Sequence, residues 1–235
     1  MTDREQIDDL VAANRILSDQ GVVDGFGHAS ARHEANAMRF LLARSMAPAL
    51  VTADDIMEFD LDGNALEPRG RTLYVERFIH SEIYKAHPEI KAIVHSHSPS
   101  IIPFGVTSVP LRPIYHMSSF LGAGVPIFEI REAGGLATDM LIRNPELGAA
   151  LARKIGASAV VLLRGHGNVV VGDSVPQVVF RAVYTEINAR LQMQALDLGD
   201  PIYLNAEEAA KSTQTNRSVF RRAWDLWAKD IGPVD

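Results

Sequence analysis

The sequence predicts one α/β domain. Three observations lead there. Segments with a 3.6-residue apolar period alternate with short β-branched runs along the chain. Its 235 residues suffice for one full hydrophobic core. No internal repeat, low-complexity segment or linker divides them.

Thr2-Asp3-Arg4-Glu5 has the form of a capping box, and Ile7, Leu10, Val11, Ile16 and Leu17 recur at helical spacing. A helix is therefore expected over about 3–19, stopped by Gly21. The turn-rich Asp24-Gly25-Phe26-Gly27-His28 leads into 29–33 and 38–42, which read as a hairpin. Within 51–61 a capped turn precedes a short strand, closed by a tight turn at Asp62-Gly63. A helix over about 74–86, ended before Pro88, feeds a strand over 91–95.

Pro103, Pro110 and Pro113 interrupt the chain after that strand, and a helix is expected over 141–155. Short strands over 159–163 and 168–171 flank Arg164-Gly165-His166-Gly167. Ser174-Val175-Pro176-Gln177 opens a long helix to about Leu196, with Val179, Val183, Ile187 and Leu191 at successive spacings of four. A last helix over about 205–229 carries Trp224 and Trp227 three apart, suited to a core or a neighbouring subunit.

Hydrophobic residues at 47% and charged residues at 22% are globular values and exclude a disordered or collagen-like chain. A formal charge of -6 argues against nucleic acid as a partner. The absence of cysteine removes disulfides, thiolate zinc sites and cysteine nucleophiles, so any metal must be held by imidazole and carboxylate. The acidic start MTDREQIDDLVAANRIL has no apolar h-region, so no signal peptide is expected. No apolar run reaches the roughly 18 residues a membrane span needs, and a cytoplasmic protein without a membrane partner is expected.

The stretch Ile93-Val94-His95-Ser96-His97-Ser98 places two imidazoles two residues apart at a strand's end. In a strand such residues share a face, so both rings can reach one ion; the alternative is two solvated histidines. His166 sits between glycines that permit close backbone approach. A third imidazole beside the pair would make a His₃ site with an open position, the catalytic kind. Nothing in the spacing puts His166 beside His95. Glu76 and His80 fall one helical turn apart, and a carboxylate near a metal is an acid-base candidate. The alternative for Glu76 is a surface residue in the first turn of a helix.

Glu76, His80, Tyr84, Pro88 and the HxH segment, followed by Gly165-His166-Gly167, resemble the class II aldolase/adducin family over nearly the whole chain. The resemblance implies a three-layer α/β/α sandwich around a mostly antiparallel sheet, over residues 1–235 as one such domain with a C-terminal helical tail. It implies a divalent metal on His95, His97 and His166, with Glu76 as the acid-base group; three imidazoles suit Mn²⁺ or Zn²⁺, and His80 is the candidate to orient Glu76 or relay its proton to solvent. It further implies a homotetramer with sites at subunit interfaces. Adducin-like members lack the metal ligands and serve structural roles, whereas all three ligand positions are filled here.

Sugar-phosphate aldolases of the family bind phosphate through a Gly-Asn-x-Ser stretch, a Thr/Ser-Gly turn and a Ser-Ser pair before the catalytic Glu. The matching positions here read Gly27-His28-Ala29-Ser30, Arg44-Ser45-Met46-Ala47-Pro48 and Tyr74-Val75. Phe26, His28, Arg44, Ser45 and Tyr74 suit a flat ring carrying carboxylates, with Arg71 a further candidate. Arg44 as an ordinary surface residue is the alternative. These departures resemble the decarboxylase branch of the family. The expected reaction is metal-dependent decarboxylation of a hydroxylated aromatic dicarboxylate, first 3-hydroxy-2-methylpyridine-4,5-dicarboxylate of vitamin B6 breakdown. A dihydroxyphthalate decarboxylase, an aldolase acting on a non-phosphorylated hydroxy acid and an adducin-like interaction protein are the alternatives.

Overall fold

The computed structural model describes residues 3–232. Thr2, the first residue of the expected capping box, lies outside the described residues. Helix α1 (Asp3–Asp19) presents Leu10, Val11, Ala13 and Leu17 to the core as one stripe. Strands β1 (His28–Arg32), β2 (Arg39–Ala43) and β3 (Ile56–Asp60) form an antiparallel meander. The expected hairpin is present, with Ser30 opposite Leu42. Before β3, the Asp55 carboxylate accepts from the Thr52 amide at 3.0 Å and the Thr52 hydroxyl at 2.8 Å, the capped turn the residue types foretell.

Helix α2 (Arg77–Ala86) leads into β4 (Ala92–Ser96), and the short helix α3 (Ile102–Val106) follows. Next come β5 (Ile127–Phe128), α4 (Arg131–Gly134), α5 (Pro145–Ile155), β6 (Val160–Leu163) and β7 (Gly167–Gly172). Helices α6 (Val175–Leu198), α7 (Ala206–Asn216) and α8 (Phe220–Asp230) complete the described chain. The seven strands form one sheet in the order β3-β2-β1-β4-β7-β6-β5. Only β5 with β6 is parallel; the other pairs are antiparallel.

Both faces of the sheet are covered, so its central strands are apolar on both sides. Val94, Leu162 and Val170 pack toward α1 and α6. Ile93, Leu163, Val169 and Val171 pack toward Ile79 and Ile83 of α2 and Leu151 and Ile155 of α5. The α/β/α sandwich expected from the resemblance is present. No helix among the described residues is long and apolar enough to cross a membrane.

Three helix boundaries differ from expectation. Helix α2 begins at Arg77 rather than 74, because the Tyr74 hydroxyl donates to the Met46 carbonyl at 2.5 Å and holds that residue in a turn. Glu76 therefore occupies the N-cap, at φ -87 and ψ 18. Helix α5 begins at Pro145 rather than 141, since a residue before proline is pushed out of the helical region. Asn144 caps it by accepting from the Leu147 amide at 2.9 Å.

The single last helix is two. Thr213, Thr215, Asn216 and Ser218 are weak helix formers, and Asn216 Nδ2 donates to the His116 carbonyl at 2.7 Å, so the chain turns between Asn216 and Phe220. The turn lets α8 fold back, with Trp224 and Trp227 buried and the Trp227 ring 6.3 Å from that of Tyr184 on α6. Trp227→Ala is expected to cost about 3–5 kcal/mol, read as a lower urea midpoint. An unchanged midpoint would mean that α8 adds nothing to stability.

Candidate metal centre

Strand β4 lies between β1 and β7, and alternation puts Ile93 and His95 on the α2 side, with His97 just past the strand's end. His95 Nδ1 lies 3.0 Å from the Asn168 carbonyl oxygen of β7. A carbonyl only accepts, so Nδ1 carries a proton, and in the neutral ring Nε2 is the nitrogen with the lone pair. That Nε2 is buried without a hydrogen-bond partner among the described residues. Past His97, Glu186 of α6 accepts from the Ser98 hydroxyl and from the Ser100 amide at 3.1 Å, anchoring the turn.

His166 comes from the turn between β6 and β7. Gly165 takes φ +63, and a Cβ on Gly167 would stand 2.0 Å from the Ser96 carbonyl oxygen. The missing side chain lets the turn close onto β4 and brings His166 Nε2 within 3.0 Å of His97 Nε2. Gly167→Ala must push β7 away from β4. Loss of bound metal is expected, checked by metal analysis of the purified variant; wild-type metal content would show that the turn tolerates the displacement.

Glu76 completes the cluster. Its Oε2 lies 3.4 Å from His95 Nε2 and 3.5 Å from His166 Nε2. Its Oε1 accepts from the Ile142 amide at 2.9 Å, so the segment expected as the first turn of a helix instead positions this carboxylate. One ligand atom from each of Glu76, His95, His97 and His166 lies within 4.8 Å of all the others. Burial pushes the Glu76 carboxyl up, but His95, His166 and the Ile142 amide outweigh it and hold its pKa at about 2. Burial and His95 lower His166 to about 4 and His97 below its ordinary value, against the pull of Glu76. The lowered His97 and His166, a convergent carboxylate and the orphaned His95 Nε2 together fit a divalent ion.

A cavity of about 550 Å³ opens above the cluster, walled by Phe26, His28, Ser45, Met46, Tyr74 and Leu141. The His28 ring sits 4.4 Å from Tyr74 and 5.1 Å from His95, centroid to centroid. Of the candidate residues, His28, Ser45, Tyr74, Glu76, His95 and His97 meet at this cavity. His166 reaches the cluster beneath it.

Arg44 does not line the cavity. Its Nε donates to Asp55 Oδ1 at 2.6 Å, a nearby carboxylate that satisfies it outside. Arg71 is half-buried and donates to the Asp54 and Glu67 carbonyls. Among the described residues, no arginine or lysine lines the cavity. His80 also departs from expectation: fully buried, it stands behind His28, 2.7 Å from His28 Nδ1, and bonds Ser30 rather than Glu76.

Ser30 and Arg32 escaped the sequence reading. Their signal is the strand HASAR, where His28, Ser30 and Arg32 alternate with alanines that face the core. A polar stripe on a fully buried strand must find partners, and here it finds them on α2.

The Class II Aldolase and Adducin N-terminal domain matches residues 8–193. The chain belongs to this family. It is 38% identical to Decarboxylase tropJ of Talaromyces stipitatus, over 94% of this chain and 92% of that protein. It is 33% identical to a 3,4-dihydroxyphthalate decarboxylase of Arthrobacter keyseri, over 81% of this chain and 78% of that one. In fold it is similar to the L-fuculose 1-phosphate aldolase of Glaciozyma antarctica, with TM-score 0.79 and 23% identity over 97% of this chain and 88% of that one. Proteins named as decarboxylases thus share its sequence, and one named as an aldolase shares its fold.

Proposed function

We propose that this protein is a metal-dependent carboxy-lyase acting on an ortho-hydroxy aromatic carboxylate. The observation that carries the reading is the convergence of His95, His97, His166 and Glu76 at the floor of a cavity walled by Phe26, His28 and Tyr74. Resemblance to two decarboxylases supports it.

His95, His97 and His166 would hold the ion, which when bound stabilises negative charge collecting on the substrate's ring oxygen. Phe26 and Tyr74 offer ring faces to the aromatic substrate. The His28 N–H and the Ser45 hydroxyl offer donors to a carboxylate. Glu76, ionised at rest, takes the proton of the ring hydroxyl and then delivers it to the ring carbon that bears the leaving carboxylate. The C–C bond breaks, CO₂ departs, and the electron pair of that bond restores the aromatic ring. A solvent proton returns to the ring oxygen, so one hydroxy acid anion and one proton give one hydroxyarene and one CO₂.

Within this class, 3-hydroxy-2-methylpyridine-4,5-dicarboxylate is the first substrate we propose. 3,4-Dihydroxyphthalate is the second, favoured by the substrate named for the Arthrobacter keyseri relative. Among the described residues no arginine or lysine lines the cavity, so a second carboxylate would lie toward its open mouth. Assembly as a homotetramer belongs to the same reading, supported by exposed Phe26, Val106 and Leu136.

Metal analysis, light scattering and CO₂ release test the proposal together. Bound divalent metal with CO₂ from either dicarboxylate is the expected result. Aldehyde from a non-phosphorylated hydroxy acid without CO₂ would make the protein an aldolase. Failure to bind metal would make it adducin-like, and a monomeric mass would remove the tetramer.

A further inference from the structure

We propose that Tyr84, Ser30 and His80 form a one-way hydrogen-bond chain that locks His28 as its Nε2–H tautomer, a fixed donor for a carboxylate or phenolic oxygen of the substrate. The identity of that oxygen rests on the reading under Proposed function. The chain itself does not.

The links are short and buried. The Tyr84 hydroxyl lies 2.8 Å from Ser30 Oγ, Ser30 Oγ lies 2.6 Å from His80 Nδ1, and His80 Nε2 lies 2.7 Å from His28 Nδ1. Register explains the alignment: His28 pairs with His95 and Ser30 with Ile93, so both side chains face α2, where His80 and Tyr84 stand one turn apart.

Counting hydrogens sets the direction. Among the described residues, Ser30 is the sole hydrogen-bond partner of the Tyr84 hydroxyl, so the tyrosine must donate to the serine. Ser30 then spends its own hydrogen on His80 Nδ1. With Nδ1 accepting, His80 carries its proton on Nε2 and gives it to His28 Nδ1. His28 is left with a proton on Nε2.

The reverse direction strands the Tyr84 hydrogen in the interior, at the full cost of an unmade bond. A doubly protonated His80 would also donate from Nε2, so the result at His28 does not depend on the charge of His80.

The far end of the chain is pinned. Arg32 Nη2 donates to the Tyr84 carbonyl at 2.6 Å, and its guanidinium lies 4.7 Å from the centre of the Tyr84 ring. The near end opens on the cavity, where His28 is a wall residue and its Nε2 has no hydrogen-bond partner among the described residues. In a cavity without arginine or lysine, such an N–H selects oxygen acceptors. An analogue lacking an acceptor there leaves a donor unpaired and is rejected. Tyr84, Ser30 and His80 are positioning residues, since none of them lines the cavity.

Neutron diffraction from crystals of the deuterated, metal-loaded protein tests the chain. Deuterium on His80 Nε2 and His28 Nε2, with none on His28 Nδ1, is the expected result. Deuterium on His28 Nδ1 overturns the proposal whatever the substrate proves to be.

Ser30→Ala gives a second readout. Without the serine, His80 loses its directing donor, and KM for the substrate should rise by the inverse of the fraction of His28 still protonated on Nε2. That is about two-fold when the fraction is one half, with kcat held. A fall in kcat at constant KM would overturn the assignment. The predicted hydrogen map in a protein that releases no CO₂ would retire the substrate reading and uphold the chain.

Discussion

Glu76→Gln is expected to lower kcat by about 10²–10⁴-fold, the usual contribution of a positioned acid-base group, while metal content stays at the wild-type level. Glutamine keeps the volume and the carbonyl oxygen that accepts from the Ile142 amide, so the segment around 142 need not move. What it loses is the capacity to take a proton and return it. The carboxyl is ionised at rest and converges on the imidazoles that would hold the ion. Single-turnover CO₂ release with parallel metal analysis distinguishes the roles. Unchanged turnover would remove Glu76 from the chemistry, and loss of metal would recast it as a ligand.

His166→Ala is expected to abolish tight metal binding. Outer partners of metal ligands are worth about 10–100-fold in affinity, and removing a ligand should exceed the upper figure. The cluster has little redundancy, since His97 Nε2 and Glu76 Oε2 both point at the position His166 Nε2 would share. Competition against a chromogenic chelator measures the change, and activity should disappear with the metal. Retained activity in a variant without metal would refute the assignment of these histidines as ligands. Treating the wild-type enzyme with a chelator and adding back Mn²⁺ or Zn²⁺ should remove and restore turnover.

The parts of the site legible in the sequence are those that derive from local periodicity. His95 and His97 come together as the two-residue repeat of a strand foretells, although the strand itself ends at Ser96. The hairpin over β1 and β2 and the cap at Ser174 were readable in the same way.

The parts that were not legible depend on pairings across long stretches of chain. His166 reaches His97 only because β7 pairs with β4, and no spacing announces that pairing. Arg44 looked available to a substrate until the fold supplied Asp55 as its partner. His80 sat at helical spacing from Glu76, but the ring turns toward β1, whose register the sequence does not display. The break after Asn216 depends on the His116 carbonyl, a contact across 100 positions.

The metal cluster is fixed by the ends of paired strands and a helix cap, whereas the cavity walls at Phe26, Ser45, Met46 and Tyr74 lie in irregular segments between elements. Side chains in such segments can be exchanged without disturbing the sheet's hydrogen-bond ladder. An engineer seeking a new aromatic acid can therefore randomise positions 26, 45, 46 and 74 while holding the strands constant. A library confined to the walls should yield altered preference far more often than lost folding.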